Sequence, residues 1–232
     1  MSSRKRKEKF QPENCNNVTI FQPRNSQQQK LLDSIYSNDI TVVSGPAGSG
    51  KTLLSIQSLY RLYKQDKIRS IKVIRLIADT FGESLGALPG DSIEKLWDFA
   101  GPILDNLQQI IKEGELTDMF ANKKIEIIPV SRVRGRSFNN AGVMIEEAQN
   151  MSKEMIIACL TRIGENSKFI VNGDPYQSDF YDRNGISYAI DLCQGLAQTG
   201  IIRFKDDDIV RHPIIKALLQ RKKQLELENY YE

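Results

Sequence analysis

TVVSGPAGSGKTLLS, residues 41–55, decides how the rest of this chain is read. A β-branched run leads into three glycines spread over six positions, then a lysine and a threonine, then a helix-forming stretch. The octet Gly45-Pro46-Ala47-Gly48-Ser49-Gly50-Lys51-Thr52 fits the spacing G-x-x-x-x-G-K-[ST] at every position. Glycines let successive backbone N–H groups turn inward and approach phosphate oxygens with no Cβ in the way. The helix that follows adds the partial positive charge of its N-terminus. In this pattern Lys51 reaches the β- and γ-phosphates and the Thr52 hydroxyl ligates Mg²⁺. The context, strand before and helix after, separates the motif from a chance glycine turn.

A loop of this kind works with an acidic residue at the end of a neighbouring strand. VMIEEAQN (143–150) supplies two, after three apolar residues. Glu146 is expected to hold Mg²⁺ through its water shell, and Glu147 to orient or deprotonate an attacking water. The competing account is a pair of surface glutamates at a strand end. VNGDPYQSD (171–179) places Asp174 and Gln177 just past another strand, where open α/β sheets bind ligands. Gln177 is a candidate sensor of the γ-phosphate or its attacking water; read alone, the segment is a turn. SRVRGRSFNN (131–140) sets Arg132, Arg134 and Arg136 around Gly135, and DIVRHP sets Arg211 before the last helix. Arginine stabilises charge on a transferring phosphoryl group and also binds nucleic-acid backbones. For the three loop arginines a solvated loop is the alternative. His212, the single histidine, reads as a structural or surface residue.

Outward from these motifs, hydrophobic periodicity alternates. Helices are expected at 26–39, with Ser26 as N-cap, and at 51–65, 92–114 (interrupted at Gly101-Pro102), 152–163, 186–197 and about 213–228. Strands are expected at 40–44, 70–77, 123–130, 142–147, 168–174 and 200–204. Strands alternating with helices imply an α/β fold, a mostly parallel sheet with helices on both faces. Residues 1–24 read as a basic tail and linker, and 25–232 as one domain.

Composition bounds the function class. The 232 residues carry a net charge of +3. Residues 4–9 hold five basic side chains against Glu8, so the tail outweighs that total and the body is near neutral. Such a tail touches phosphate backbones or serves as a solubilising end. Three scattered cysteines suit neither a disulfide framework nor a zinc site. No apolar run reaches the ~18 residues of a membrane span, and no hydrophobic segment follows the N-terminal charges. These readings give the expectation of a cytoplasmic protein without a membrane partner.

The motif set resembles the PhoH-like ATPases. It comprises GPAGSGKT, GESLGALPGD (82–91), RGRSFNNAGVMIEEAQN (134–150), LTRIGENSKFIVNGDPYQSD (160–179) and DIVRHPII (208–215), in the family's order and over roughly residues 25–222. That family resembles the nucleotide-binding half of superfamily 1 helicases, a RecA-like P-loop fold. The resemblance implies ATP and Mg²⁺ as cofactors. It makes Lys51 and Thr52 the phosphate and metal residues, Glu146 and Glu147 the acidic pair, Gln177 the sensor and Arg211 a finger arginine, in cis or from a neighbouring subunit. It also matches Gln28, with Gln27 as a rival, to a glutamine that recognises adenine. RNA or single-stranded DNA as partner, and a homo-oligomeric ring such as a hexamer, are implied in the same way. Two departures stand out. The family's acidic strand usually carries Asp-Glu, and here Glu146 is one methylene longer. No added RNase domain or N-terminal RNA-binding domain is expected within the chain, apart from the basic tail, and its compact core resembles phage-encoded members.

The resulting expectation is an ATPase coupled to RNA or single-stranded nucleic acid. A small-molecule kinase fits less well, because the acidic pair and GDPYQ suit water activation better than delivery to an acceptor. A nucleotide-gated assembly module with weak hydrolysis, slowed at Glu146, is the alternative.

Overall fold

The structure, a computed structural model, describes residues 20–76, 92–178 and 184–210, and single positions 214, 217, 218, 221, 224 and 225 of a last helix; for 92–100 only the backbone is described. Residues 1–19 of the tail, including Cys15, and GESLGALPGD, Arg211 and His212 lie outside the described residues, whereas 20–24 of the expected tail are described.

The elements run α1 (Ser26–Ser37), β1 (Ile40–Ser44), α2 (Lys51–Lys64), β2 (Ser70–Arg75), α3 (Ser92–Ile110), α4 (Glu113–Ala121), β3 (Ile125–Pro129), β4 (Ala141–Ile145), α5 (Lys153–Leu160), β5 (Lys168–Gly173), α6 (Gly185–Cys193) and β6 (Thr199–Arg203). The six strands form one sheet in the order β3-β2-β4-β5-β1-β6. Every pairing is parallel. This is the expected α/β architecture. The strands are apolar on both sides because both faces are covered. Val43, Val73 and Met144 pack with Leu31, Leu54 and Ile103 under α1–α4. Val42, Ile74 and Ile145 pack with Ile156 and Ile186 under α5 and α6. Successive strand residues therefore enter opposite cores, as the two-residue period of a strand requires.

Several boundaries differ from the sequence expectation. Asn25, not Ser26, caps α1: its Oδ1 accepts from the Gln28 N–H at 2.8 Å. The cap position falls one residue earlier because Asn25 is extended while Ser26 is already helical. Helix α3 runs through Pro102 and ends at Ile110. The break comes instead at Ile111-Lys112, and a separate α4, absent from the sequence reading, follows with Glu113 and Glu115 in its first turn.

The strand order sets the site. β4, β5 and β1 are adjacent and run the same way, so their carboxyl ends follow one another at ~5 Å spacing along one rim. The glycine loop leaves β1, the acidic pair leaves β4, and Asp174–Gln177 leaves β5.

Candidate functional site

The glycine loop bridges β1 and α2. Gly45 has φ +145°, and a Cβ there would sit 2.5 Å from the Phe204 Cβ, so the loop passes the end of β6 only as glycine. Phe204 donates its N–H to the Ser44 carbonyl, and Val210 donates to the Gly48 carbonyl, so residues 204–210 brace the loop from behind. Ser49 is fully buried, with its Oγ bonded to the Pro46 carbonyl. Lys51 Nζ donates to the carbonyls of Gly45 (2.7 Å) and Pro46 (2.8 Å), which holds the ammonium over the loop. Ala47, Gly48, Gly50, Lys51 and Thr52 line a cleft of about 430 Å³.

Glu146 and Glu147 end β4 in opposite environments. Glu146 is buried, with Oε1 accepting from Asn172 Nδ2 at 3.1 Å, and Thr52 lines the cleft beside it. Burial raises its pKa; the Asn172 and Thr52 bonds and the Arg75 charge oppose this, and Glu147 adds to it. Asn172 Oδ1 is buried with no partner. A buried carboxylate beside a hydroxyl and an orphaned acceptor fits a hydrated Mg²⁺, which takes one or two protein oxygens and keeps several waters. The acceptor would receive a metal-bound water. No cluster of three or more His, Cys, Asp or Glu side chains that could hold a metal occurs among the described residues. Glu147 is exposed, in the left-handed region at φ +54°, and its carboxylate accepts from Gln149 Nε2.

Asp174 and Gln177 line the same cleft. Asp174 Oδ1 accepts from the Tyr176 N–H, and the Gln177 N–H bonds the Asp174 carbonyl, closing a tight turn at the end of β5. Gln28 also reaches the cleft, but its amide is engaged by the chain itself. Its Nε2 donates to the Ser49 carbonyl (2.8 Å) and its Oε1 accepts from the Arg24 N–H (2.7 Å). Gln27 bonds the Arg203 carbonyl. Arg132, Arg134 and Arg136 are exposed and do not line the cleft; buried Val133 anchors their loop.

Some cleft residues had no sequence signal. Phe21 and Gln22 close one side, and Gln57, buried in α2, pins that segment by bonding both the N–H (2.6 Å) and the carbonyl (3.0 Å) of Phe21. Arg75, at the end of β2, and Pro102, Ile103 and Asn106 of α3 form another wall. Gln149 and Asn172 stood inside motifs already singled out, yet nothing in their spacing marked them. Of the cysteines, Cys159 and Cys193 are buried thiols, and burial pushes Cys159 up to about 12. No helix among the described residues is long and apolar enough to cross a membrane.

The sequence profile of the PhoH-like protein family matches residues 20–222. A PhoH-like protein of Synechocystis sp. is 31% identical over 203 residues, which is 87% of this chain and 62% of that protein. Protein PhoH of Escherichia coli is 35% identical over 202 residues, 85% of this chain and 56% of that protein. The chain thus spans about 60% of the length of these curated relatives. Among solved structures, the large terminase from a thermophilic bacteriophage superposes with a TM-score of 0.52 at 16% identity, over 86% of this chain and 50% of the terminase. That likeness concerns the fold.

Proposed function

We propose that this chain, which belongs to the PhoH-like protein family, binds ATP with Mg²⁺ in the cleft and hydrolyses the β–γ phosphoanhydride. One observation carries the reading: the glycine loop, the Thr52–Glu146 pair and the Asp174–Gln177 turn meet at a single cleft. The loop's N–H groups and Lys51 bind the phosphates. Thr52, and Glu146 through water, would hold Mg²⁺, which would supply charge neutralisation at the phosphates. Glu147, exposed at the rim, takes a proton from water as that water attacks the γ-phosphorus. The bond to the β–γ bridging oxygen breaks, leaving ADP and inorganic phosphate. Gln177 bonds the γ-phosphate or the water. Gln28 reads adenine only if it exchanges a bond to the chain for one to the base, and Gln27 is its rival. Arg211 acts as the finger arginine, in cis or from a neighbour.

Coupling to RNA or single-stranded DNA is part of the proposal. It is supported by the exposed Arg132, Arg134 and Arg136 and by the basic tail. The working form in this proposal is a homo-oligomer, a ring such as a hexamer, in the cytoplasm, which would set Arg211 beside a neighbour's nucleotide. The test is phosphate release with and without RNA or single-stranded DNA, alongside Lys51→Ala. Mg²⁺-dependent release that Lys51→Ala abolishes is expected; release unchanged in that variant refutes the reading.

A second reading, a nucleotide-gated assembly module with weak hydrolysis, is favoured by the burial and raised pKa of Glu146. Glu146→Asp separates the two. A clear gain in turnover means that the natural residue slows hydrolysis, and no change in an inactive protein favours the module.

A further inference from the structure

Gln149 is 1% exposed and uses both ends of its amide on the site. Its Oε1 accepts from the Asp174 N–H at 3.0 Å. Its Nε2 donates to Glu147 Oε2 and, at 3.4 Å, to the Gln177 carbonyl. The Gln149 carbonyl in turn accepts from Ser178 Oγ. The chemistry fixes the amide's orientation: a backbone N–H requires the oxygen, and a carboxylate and a carbonyl require the nitrogen. The surrounding chain is shaped for this side chain. A Cβ on Gly173 would lie 2.9 Å from Gln149 Oε1, so the end of β5 must be glycine for the amide to reach Asp174. Glu147 adopts the left-handed region, which folds residues 148–150 back toward β5. That backbone choice is strained for a residue with a side chain and persists only where neighbours over-determine it.

We propose that Gln149 is a positioning residue that couples the water-activating carboxylate to the γ-phosphate turn. One donor arm holds the Glu147 carboxylate; the other arms hold the Asp174–Gln177 turn. A shift of Gln177 toward the γ-phosphate therefore moves Glu147 with it. The inference rests on the hydrolysis reading above. It assigns Gln149 no contact with nucleotide, so its loss leaves binding intact.

The experiment is a double-mutant cycle of Gln149→Met with Glu147→Gln, read by single-turnover hydrolysis and by fluorescent-ATP binding on the full chain. Wild type and Lys51→Ala are run first. Gln149→Met is expected to lower kcat about 100-fold, the scale of a ~1 Å misplacement at a reacting group. Nucleotide Kd should change less than about threefold. In the Glu147→Gln background the same substitution should change the residual rate less than about threefold, because its effect passes through Glu147. If Gln149→Met fails to fold, Gln149→Glu carries the test. It keeps an acceptor for the Asp174 N–H and turns a carboxylate toward Glu147, so an equal or larger loss of kcat is expected. Independent, multiplicative losses, a parallel loss of Kd, or full kcat in Gln149→Glu would overturn this inference alone. Turnover in the wild type that does not depend on Lys51 would overturn the hydrolysis reading and this inference with it.

Discussion

The cleft and the arginine loop are both places where charge gathers near strand ends, and they are built in opposite ways. In the cleft, Lys51, Glu146 and Asn172, with Gln149 buried behind them, are held by hydrogen bonds in partly or fully dry surroundings. In the loop, Arg132, Arg134 and Arg136 stand in solvent around Gly135. A buried polar group is expensive unless its partners are fixed, so a dry site has one geometry and small changes are felt strongly. A solvated cluster tolerates many geometries, and its effect scales with the number of charges and fades with salt. The first arrangement suits chemistry at one atom; the second suits an extended, flexible polyanion.

The sharpest way to break this contrast is Lys51→Ala. It should lower turnover by about 10³-fold or more, an amount typical of losing an electrostatic contact to the transition state in a dry site. Nucleic-acid affinity measured without nucleotide should stay within about twofold. If both fell together, the two regions would not be separable.

Replacing Arg132, Arg134 and Arg136 together with Ala should weaken binding to single-stranded nucleic acid about tenfold at moderate salt. The log–log salt slope should become shallower by about 2, from ~0.7 per lost phosphate contact. Melting temperature and ATP affinity should be unchanged. Titration by fluorescence anisotropy at three salt concentrations checks this, and an unaltered slope removes the loop from the interface.

Glu146→Gln sharpens the dry side. The Glu146 pKa is raised, so its charged form is penalised in the fold. Its contribution is favourable below the ordinary carboxylate range and is lost as pH rises through the raised value. The nucleotide-free variant should therefore melt higher than wild type at pH 8, as thermal unfolding would show. The gap should close on acidification, and turnover should fall. A variant that melts lower at pH 8 contradicts the penalty.

The smallest effect belongs to Lys64–Glu115, a pair 3.0 Å apart on the exposed side of α2 and α4. Burial pushes the Glu115 carboxyl up, but bonds from Tyr60 and Lys64 outweigh it and hold it below its ordinary value. Lys64→Ala should cost under about 0.5 kcal/mol in denaturant titrations. The difference should vanish as pH falls through the lowered Glu115 value.

Much of this plan was legible in the residues. The parallel sheet followed from β-branched runs alternating with helical periods. The three motifs followed from residues close enough in sequence to act together. The misreadings have local physical causes. Gly101-Pro102 looked like a break, yet α3 continues through it, and the Pro102 carbonyl accepts from the Asn106 side chain one turn on. Asn25 outcompeted Ser26 as a cap because the chain is still extended there. The bonds of Gln28 to Ser49 and Arg24 are not a misreading but an addition: no spacing announces them, and the match of Gln28 to adenine stays a proposal.

The glycine nest, the strand leading into it and the carboxylates ending β4 were set by consecutive residues, because turn preference, side-chain alternation and helix polarity are short-range properties of the chain. Which polar side chains would join them was decided by the packed sheet. Gln149 meets Asp174, Asn172 meets Glu146 and Gln57 meets Phe21 across separations of 25, 26 and 36 residues. Those meetings depend on strand order and register, which arise only when both apolar faces are buried at once.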